Sequence, residues 1–543
     1  MKTKKVGVIA LSALMAVSSF AACGKPEVSN DENTLQIYAK EAGYGVEWLF
    51  KVADAFTAEY PEYTVSIEYE QGVDRGQNML TAGPAHTTED LLFVGKLTKL
   101  IASGDKAVAG YDHAVANLTE MYNMEVPGEG VTLLEKTHPD ILDVIKFEEE
   151  TEDGVWEDQY FTFPYQNGML GFVYNKTMFA EKNVSVPRTT EELYDLCDTL
   201  KTKDFSPMLA SLSVSYVSSI SAMWWAQYEG VDEYKRYWNP TSLDDYETMH
   251  QKGKLHMLMV QNQLNKKTYG RLSRDSVDTN YTEAQAKFIN REAAILYCGG
   301  WFENEMKGII AENQASGNKD EYGFMMTPLN SAIVERLSFW DDSLSYYDVM
   351  LEGRSDVNPD AAKLQILKDA DAKLLQIVDY VDGVTTEKPA FATDEDIAIV
   401  KGSRNLMIAY GANAQAVIPA YATAKEAAMK FLLFLATDKM QRVVAQNCAG
   451  TTMPFTTYDV LNDDQVQLTN FARNVHEITN KAKLLPHSDM TKGGWLIGLN
   501  GVGGGKTFAA DNLKDYKDPM SFYDSSIMTF DEYKLALQTA GII

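Results

Sequence analysis

Two kinds of hydrophobic pattern alternate after residue 33, and this alternation restricts the fold more than any other feature of the sequence. Thr34–Lys40 and Tyr63–Glu70 alternate apolar and polar side chains with a period of two, as half-buried strands do. Between them, Val46–Tyr60 carries apolar side chains four residues apart, which is typical of an amphipathic helix, and Pro61 ends it. A short helical segment and the apolar run Asp90–Val94 follow. This β-α-β-α-β order predicts an α/β fold with a parallel sheet covered by helices.

The loop after the first predicted strand is a candidate wall of a binding site. In open α/β sheets, ligands bind at the carboxyl ends of the strands. The segment Lys40–Gly45 stands between the first strand and the first helix, and it contains Tyr44. We therefore expect Tyr44 to lie beside a ligand.

The amino terminus has the features of an export signal. Three lysines precede an apolar run from Val6 to about Phe20, which is shorter than the ~20 residues of a membrane-spanning helix. Small residues then lead directly into Cys23, and this junction resembles a bacterial lipobox, in which the cysteine carries the lipid. An ordinary signal peptide with a chance cysteine is the alternative. We expect residues 1–22 to be removed and the polar residues 23–33 to form a flexible tether.

Charge and length exclude several classes of protein. The formal net charge is −28, and removing the three leader lysines takes it to −31. Such a chain is repelled by nucleic acid and by anionic membrane surfaces, because binding phosphates requires clustered Lys and Arg. No later apolar stretch reaches spanning length, so the lipid is the only expected membrane attachment. A chain of 543 residues, 45% of them hydrophobic, is expected to form two or three domains.

Motifs for metals, nucleotides and hydrolysis are missing or incomplete. Cys197, Cys298 and Cys448 are scattered and have no zinc spacing, so we expect buried, unreactive thiols and no metal site. The run Gly501–Thr507 has Asn500 where a phosphate loop requires glycine. Neither an HExxH nor a GxSxG pattern occurs, and the acidic clusters lack the calcium-loop spacing. No cofactor is expected.

A series of short motifs, taken in order, resembles a known family. The motifs are DG at 153–154, FPYQNGMLGFVYNKTMF at 163–179, PRTTEEL at 187–193, AAILYCGGW at 293–301, YGFMMTP at 322–328 and KEAAMKFLLFLATDKMQ at 425–441. Each is weak alone, but their order over some 400 residues is similar to that of family 1 extracellular solute-binding proteins, the group that includes maltose-binding proteins.

The resemblance implies a two-lobed, periplasmic-binding-protein-like (type II) fold with hinge-crossing strands. It places crossings near Phe163–Gly171, Met326–Pro328 and Thr451–Phe455. The amino-terminal lobe would then comprise residues 34–160 and 326–450, and the carboxyl-terminal lobe residues 161–325 and 451–543. Residues 331–400 exceed what the family needs there. Within them, Ala361–Val381 is predicted to form an extra helix, which either extends a lobe or shapes ligand choice at the rim.

The resemblance also implies a carbohydrate ligand and makes a chemical demand on the site. Sugar rings present apolar C–H faces and polar edges, so their sites combine aromatic rings with carboxylates and amides. The candidates at predicted strand ends and crossings are Tyr44, Tyr165, Gln166, Asn167, Trp224, Trp225, Trp301 and Glu303. Trp301 is the foremost, because it follows an apolar strand and a Gly-Gly turn and matches the tryptophan of the family's G-P-W-type motif, with Gly300 in place of the proline. Packing in the core is the alternative for any one tryptophan. Of the adjacent pair Trp224 and Trp225, one ring is expected to face the core and the other the cleft.

These expectations lead to one predicted function and one alternative function. The chain is expected to be a monomeric lipoprotein on the outer face of the cell membrane, in a Gram-positive bacterium, that delivers a sugar or oligosaccharide to the permease subunits of an ABC importer. It is expected to have no catalytic activity. The rival is a surface glycan-binding or glycan-cleaving lipoprotein, since a glycosidase needs only two well-placed carboxylates and the chain has 77 acidic residues.

Overall fold

A computed structural model describes residues 31–71, 75–84, 87–95, 113–150, 156–214, 216–409, 414–448, 450–451, 453–486 and 518–543. The predicted leader, most of the tether, Cys23, the glycine-rich run at 501–507 and most of the acidic cluster at 511–518 lie outside these residues. Within the described part of the chain, no helix combines the length and apolar character that crossing a membrane requires.

Two mixed sheets form the centres of the two lobes. The strands are β1 Thr34–Glu41, β2 Thr64–Gln71, β3 Leu91–Val94, β4 Lys146–Glu150, β5 Trp156–Tyr160, β6 Phe163–Pro164, β7 Met169–Asn175, β8 Met208–Leu209, β9 Ile295–Gly299, β10 Tyr322–Met325, β11 Leu406–Ala409, β12 Gln415–Val417 and β13 Lys483–Pro486. Strands β4 and β5 form a separate antiparallel ribbon.

Helices cover both sheets. They are α1 Glu47–Glu59, α2 Gly76–Ala82, α3 Thr119–Tyr122, α4 Leu133–Lys136, α5 Pro139–Ile145, α6 Lys176–Lys182, α7 Thr190–Leu200, α8 Tyr216–Glu229, α9 Val231–Trp238, α10 Lys252–Asn265, α11 Tyr281–Ile289, α12 Phe302–Glu305, α13 Lys307–Ala315, α14 Tyr346–Gly353, α15 Ala361–Val381, α16 Asp394–Arg404, α17 Lys425–Leu435, α18 Asp438–Asn447, α19 Asn470–Thr479, α20 Pro519–Ser526 and α21 Phe530–Ala540.

The first sheet has the strand order β2-β1-β3-β12-β6. Strands β1, β2 and β3 are parallel, with Ile37 opposite both Ile67 and Leu91, and β12 and β6 are added antiparallel. Leu35 and Ile37 are buried, and helix α1 packs on this face through Phe56, whose ring contacts Phe431 of α17. The predicted β-α-β-α-β unit is therefore confirmed. We call this sheet and the helices packed on it the first lobe.

The second sheet has the order β13-β11-β7-β9-β8, and β10 also pairs with β7. Helix α8 packs on one face, while α5, α11 and α19 share an apolar cluster with the other face. The central strands are buried on both sides, which is why β7 and β9 have continuous apolar sequences instead of an alternating pattern. We call this sheet and its helices the second lobe.

The chain passes between the sheets at a different point from one of the predicted crossings. The short segment between β6 and β7 joins the first sheet to the second, where the first crossing was predicted. The second crossing was predicted at Met326–Pro328, but the next strand along the chain, β11, still lies in the second sheet and pairs with Met169 and Leu170. The chain re-enters the first sheet only at β12.

Packing explains why residues 329–404 remain with the second lobe. The carboxylate of Glu191 on α7 accepts hydrogen bonds from Arg354, and Thr189 Oγ1 donates to Asp371 on α15 at 3.0 Å. Helix α16 packs on α8, and Ser403 Oγ donates to the carbonyl of Gln227 at 2.7 Å. The predicted extra helix has the predicted limits, 361–381, and it is an integral part of this lobe.

One predicted helix is divided in two. The sequence pattern predicts a single helix from Ala424 to Val444, whereas the structure has α17 and α18 with a break at residues 436–437. Thr437 has extended backbone angles, and its hydroxyl accepts a hydrogen bond from the backbone N–H of Met440. This side-chain cap starts a second helix, which periodicity alone does not reveal.

Candidate functional site

The loop after β1 projects Tyr44 toward the second lobe. Its backbone turns at Gly45, where φ is +66°, a conformation that glycine adopts without the steric cost a Cβ incurs. The N–H of Gly45 donates to the carbonyl of Ala42 at 2.9 Å, and Trp48 Nε1 donates to the carbonyl of Gly45 at 3.1 Å. These bonds fix the loop at the carboxyl end of β1, the position predicted for a site wall.

Trp301 of the second lobe meets this loop. It follows β9 and precedes the one-turn helix α12. The centroid of its ring lies 5.7 Å from that of Tyr44, with the planes at 76°, and 5.9 Å from that of Tyr216, the first residue of α8. Such edge-to-face pairs are favourable because ring edges are positive and ring faces negative. The structure thus brings together aromatic rings from both lobes.

Glycines let the backbone approach the Trp301 ring closely. A Cβ at Gly43 would lie 2.5 Å from Trp301 Cδ1, and a Cβ at Gly168 would lie 2.7 Å from Cζ3. A Cβ at Gly299 would lie closer still, 2.3 Å from Trp301 Cη2. Any larger residue at these positions would displace the indole. The observed position of the Trp301 ring therefore requires glycine at all three positions.

Polar contacts join the same surfaces. Asn304 Nδ2 on α12 donates to the carbonyl of Gly43 at 2.7 Å. Lys307 Nζ lies 3.3 Å from Glu47 Oε2, but both side chains are mostly exposed, so this ion pair contributes little. The two lobes are therefore in contact here, with Trp301 at the centre of that contact.

The segment that joins β6 to β7 carries three of the predicted residues. Tyr165 stacks on Trp48 at 5.7 Å and packs edge-on against Phe93 at 5.0 Å, so its ring belongs to the first lobe's core. Asn167 is buried. Gln166 is fully buried, and neither polar atom of its amide has a hydrogen-bond partner. Because leaving such an amide unpaired is costly, Gln166 is the residue of this segment that would gain most from a polar partner.

The Trp224–Trp225 pair is not brought to this contact. Trp224 packs near Phe172, and its Nε1 donates to the carbonyl of Pro328 at 3.1 Å. Trp225 contacts Tyr237 and donates to Gln251 Oε1 at 2.8 Å. Both rings are at most 1% exposed, so the expectation that one of them faces the cleft does not agree with their placement. The reason is that α8 is covered on all sides, in part by residues 329–404.

Glu303 lies two residues after Trp301 and is partly buried. Its carboxylate accepts a hydrogen bond from the hydroxyl of Thr469, and burial raises its pKa. Glu305 on the same turn also has a pKa raised by burial and accepts from Gln285 Nε2 at 2.7 Å. Carboxyl groups in such surroundings suit hydrogen bonding to hydroxyl groups.

Two residues of this contact were not predicted from the sequence. Tyr216 and Asn304 complete the surroundings of Trp301 and Gly43. Tyr216 is partly exposed and begins the helix that carries the tryptophan pair, so a search for the first aromatic residue of that helix would have found it. Asn304 lies three residues beyond Trp301, and no sequence signal distinguishes it.

The three cysteines of the described residues are buried, as the sequence predicts. Across the parts of the chain that the structure describes, no group of three His, Cys, Asp or Glu side chains could hold a metal ion. Cys197, Cys298 and Cys448 are buried free thiols. Burial raises the pKa of Cys197 and Cys448 to about 12, so their reactive thiolate forms are rare at neutral pH.

Comparison with known proteins identifies the family. The family profile of bacterial extracellular solute-binding proteins matches residues 42–442. The chain belongs to this family. A search of curated protein sequences finds no match.

Solved structures share the fold at low sequence identity. The bacterial solute receptor AcbH has 11% identity and a TM-score of 0.57, and the match covers 93% of this chain and 99% of AcbH. The GacH receptor of Streptomyces glaucescens has 13% identity and a TM-score of 0.54, covering 93% and 98%. RafE, solved in complex with raffinose, has 13% identity and a TM-score of 0.51, covering 92% and 99%. The likeness confirms the two-lobed solute-binding-protein fold.

Proposed function

We propose that this chain binds a sugar or oligosaccharide between its two lobes and delivers it to an ABC importer. The observation that carries the proposal is the meeting of Tyr44 from the first lobe with Trp301 and Tyr216 from the second. Aromatic side chains stack on the apolar faces of sugar rings. Because the aromatic side chains here come from both lobes, a single sugar ligand would contact both lobes at once.

Polar groups near the aromatic cluster suit the hydroxyl groups of a sugar. The unpaired amide of Gln166 offers both a donor and an acceptor. Glu303 supplies a carboxylate two residues after Trp301. The polar groups proposed for the site are the amide of Gln166 and the carboxyl of Glu303, neither of them cationic, so a neutral polyhydroxylated ligand fits better than an anion. Tyr165, Trp224 and Trp225 would support the site from the core without touching the ligand.

The relatives of similar fold support a carbohydrate. AcbH is described as having an exclusive preference for β-D-galactopyranose, GacH was solved with acarbose, and RafE with raffinose. We extend this ligand class to the present chain as part of the proposal.

Binding would work by hinge closure. A ligand that contacts both lobes has a higher affinity for the closed form, so it shifts the population toward that form. The Tyr44–Trp301 and Asn304–Gly43 contacts are of the kind that would form on closure. The closed complex would dock on the permease pair, and Cys23 would keep the protein at the outer membrane face through its lipid. This mechanism needs no bond-breaking step.

A calorimetric screen of plant and host oligosaccharides, combined with chromatography of the products, tests the proposal. We expect at least one oligosaccharide to bind with a measurable heat and to be recovered intact. Cleavage of the oligosaccharide would instead support the glycan-cleaving lipoprotein. If nothing in a broad panel bound, the carbohydrate assignment would be wrong.

A further inference from the structure

A cavity of about 420 Å³ lies between the lobes, apart from the Tyr44–Trp301 contact. Its walls come from α18 of the first lobe and from α19 and β13 of the second, and described residues between 453 and 460 form a third side. This volume is within the range of ~300–1,000 Å³ found for small-molecule sites.

The chain segments that cross between the lobes separate this cavity from the aromatic cluster. Asn167 lines the cavity, whereas the next residue, Gly168, packs against Trp301 and Tyr44. Thr451 lines it as well, whereas Gly450 packs against Gly300. The three rings of the proposed sugar site do not line the cavity. It is therefore a second space, not an extension of the first.

Gln441 on α18 gives the cavity a buried polar group that lacks a partner. Its side chain is 1% exposed, and its Nε2 donates to the carbonyl of Leu435 at 2.9 Å. That bond orients the amide and leaves Oε1 buried without a hydrogen bond. Because Oε1 is buried, it meets a ligand donor only if the amide turns toward the cavity, and the free-energy cost of an unpaired acceptor favours that turn.

The remaining lining favours a neutral, hydroxylated molecule. His138 accepts a hydrogen bond from the N–H of Asp140 through Nδ1, which leaves its Nε2 to carry the proton and to serve as a donor. The carboxylate of Asp459 at the rim already accepts from Leu461 N and Asn462 Nδ2. No Lys or Arg is among the described lining residues, so an anion would lack a counter-charge. Val444 and Leu484 supply apolar surface for C–H groups.

We propose that this cavity is a second binding site, which takes a neutral polyhydroxylated molecule of about monosaccharide size. Gln441 Oε1 accepts from a hydroxyl of the ligand, and the His138 imidazole donates to another. The site is independent of the sugar site at Trp301.

Saturation-transfer NMR and calorimetry with D-glucose, myo-inositol and glycerol test this site. The variants are Gln441→Leu, which removes the acceptor, and Val444→Phe, which fills the space. Gln446→Leu is the matched control, because Gln446 is exposed on the same helix. Trp301→Ala disables the proposed sugar site and so separates the two proposals. Circular dichroism and melting temperatures establish that each variant folds.

We expect at least one probe to bind wild type, Gln446→Leu and Trp301→Ala with similar affinity. Its affinity should fall by about tenfold in Gln441→Leu, the loss expected for one hydrogen bond, and at least as far in folded Val444→Phe. The inference is overturned if none of the three probes binds the wild type. It is also overturned if binding is lost in Trp301→Ala but retained in Gln441→Leu and Val444→Phe.

Discussion

The Trp301 ring meets the Tyr44 ring edge-to-face across the boundary between the lobes, at a centroid distance of 5.7 Å. Part of the burial of Trp301 therefore comes from the opposite lobe. Removing this ring should weaken the closed state and the ligand contact more than it weakens the folding of either lobe.

Trp301→Ala is accordingly predicted to reduce affinity. Aromatic anchors dominate many recognition sites, and a loss of ~2 kcal/mol raises the dissociation constant roughly thirtyfold.

The matched control is Trp225→Ala, because Trp225 is 1% exposed within one lobe. Truncating that ring should cost ~3–5 kcal/mol of stability. Calorimetry and thermal melting of both variants separate the effects. A Trp301→Ala protein that melts as low as Trp225→Ala, yet binds normally when folded, would place Trp301 in the core.

Gly168→Ala is predicted to hold the lobes apart. The added methyl group would lie 2.6 Å from the Tyr44 hydroxyl and 2.7 Å from Trp301 Cζ3, so the rings must move. We expect weaker ligand binding and a larger radius of gyration with ligand in small-angle scattering. Gly402→Ala is the control, because its added methyl group has no heavy atom within 4 Å apart from its chain neighbours and the backbone of its own helix. Wild-type closure in Gly168→Ala would show that the rings do not form the closing contact.

Lys254 is predicted to destabilise the protein in a pH-dependent manner. Its ammonium group is buried among Trp225, Tyr237 and Tyr523, at 5.9, 5.0 and 5.5 Å from their centroids, and Nζ has no hydrogen bond. Burial lowers its pKa from 10.5 to about 7, although the charge of Glu229 opposes the shift. The unfolded chain thus binds more protons between pH 7 and 10.5, so stability should rise with pH across that window.

Lys254→Met should therefore be more stable than wild type at pH 7, by about 1–3 kcal/mol, the cost of an unpaired buried polar group. The gain should shrink toward pH 10. Urea unfolding at both pH values measures it, with Lys252→Met as the control, because Lys252 is exposed on the same helix. An equal gain at both pH values would show that protonation of Lys254 is not the cause.

The predictions that were confirmed depend on the periodicity of a single segment. Those that were wrong depend on which distant segments of the chain pack on a helix or a strand. The first-lobe strands and helix α15 follow directly from spacing that one segment contains. The burial of Trp224 and Trp225 depends on residues 329–404, which pack on α8 from more than 100 positions away. The same packing keeps β11 in the second sheet. The close contact of Gly43 and Gly168 with Trp301 likewise could not be predicted, because it forms between segments that are distant in the sequence.

Lipid attachment at Cys23 stays a prediction, because this residue lies outside the described part of the chain. Cys23→Ser should release the protein from the membrane fraction into the medium, since the tether would have no acyl chains to hold it. Cell fractionation with metabolic labelling by a fatty acid tests this. A wild-type protein that is soluble and carries no label would contradict the anchor.

A crystal structure of the protein with the tightest-binding oligosaccharide from the calorimetric screen tests the central claim most directly. The account predicts a sugar ring in van der Waals contact with Trp301, further contacts from Tyr44 of the other lobe, and a hydrogen bond from the sugar to the amide of Gln166. An oligosaccharide bound to one lobe alone, with Trp301 and Gln166 untouched, would contradict it.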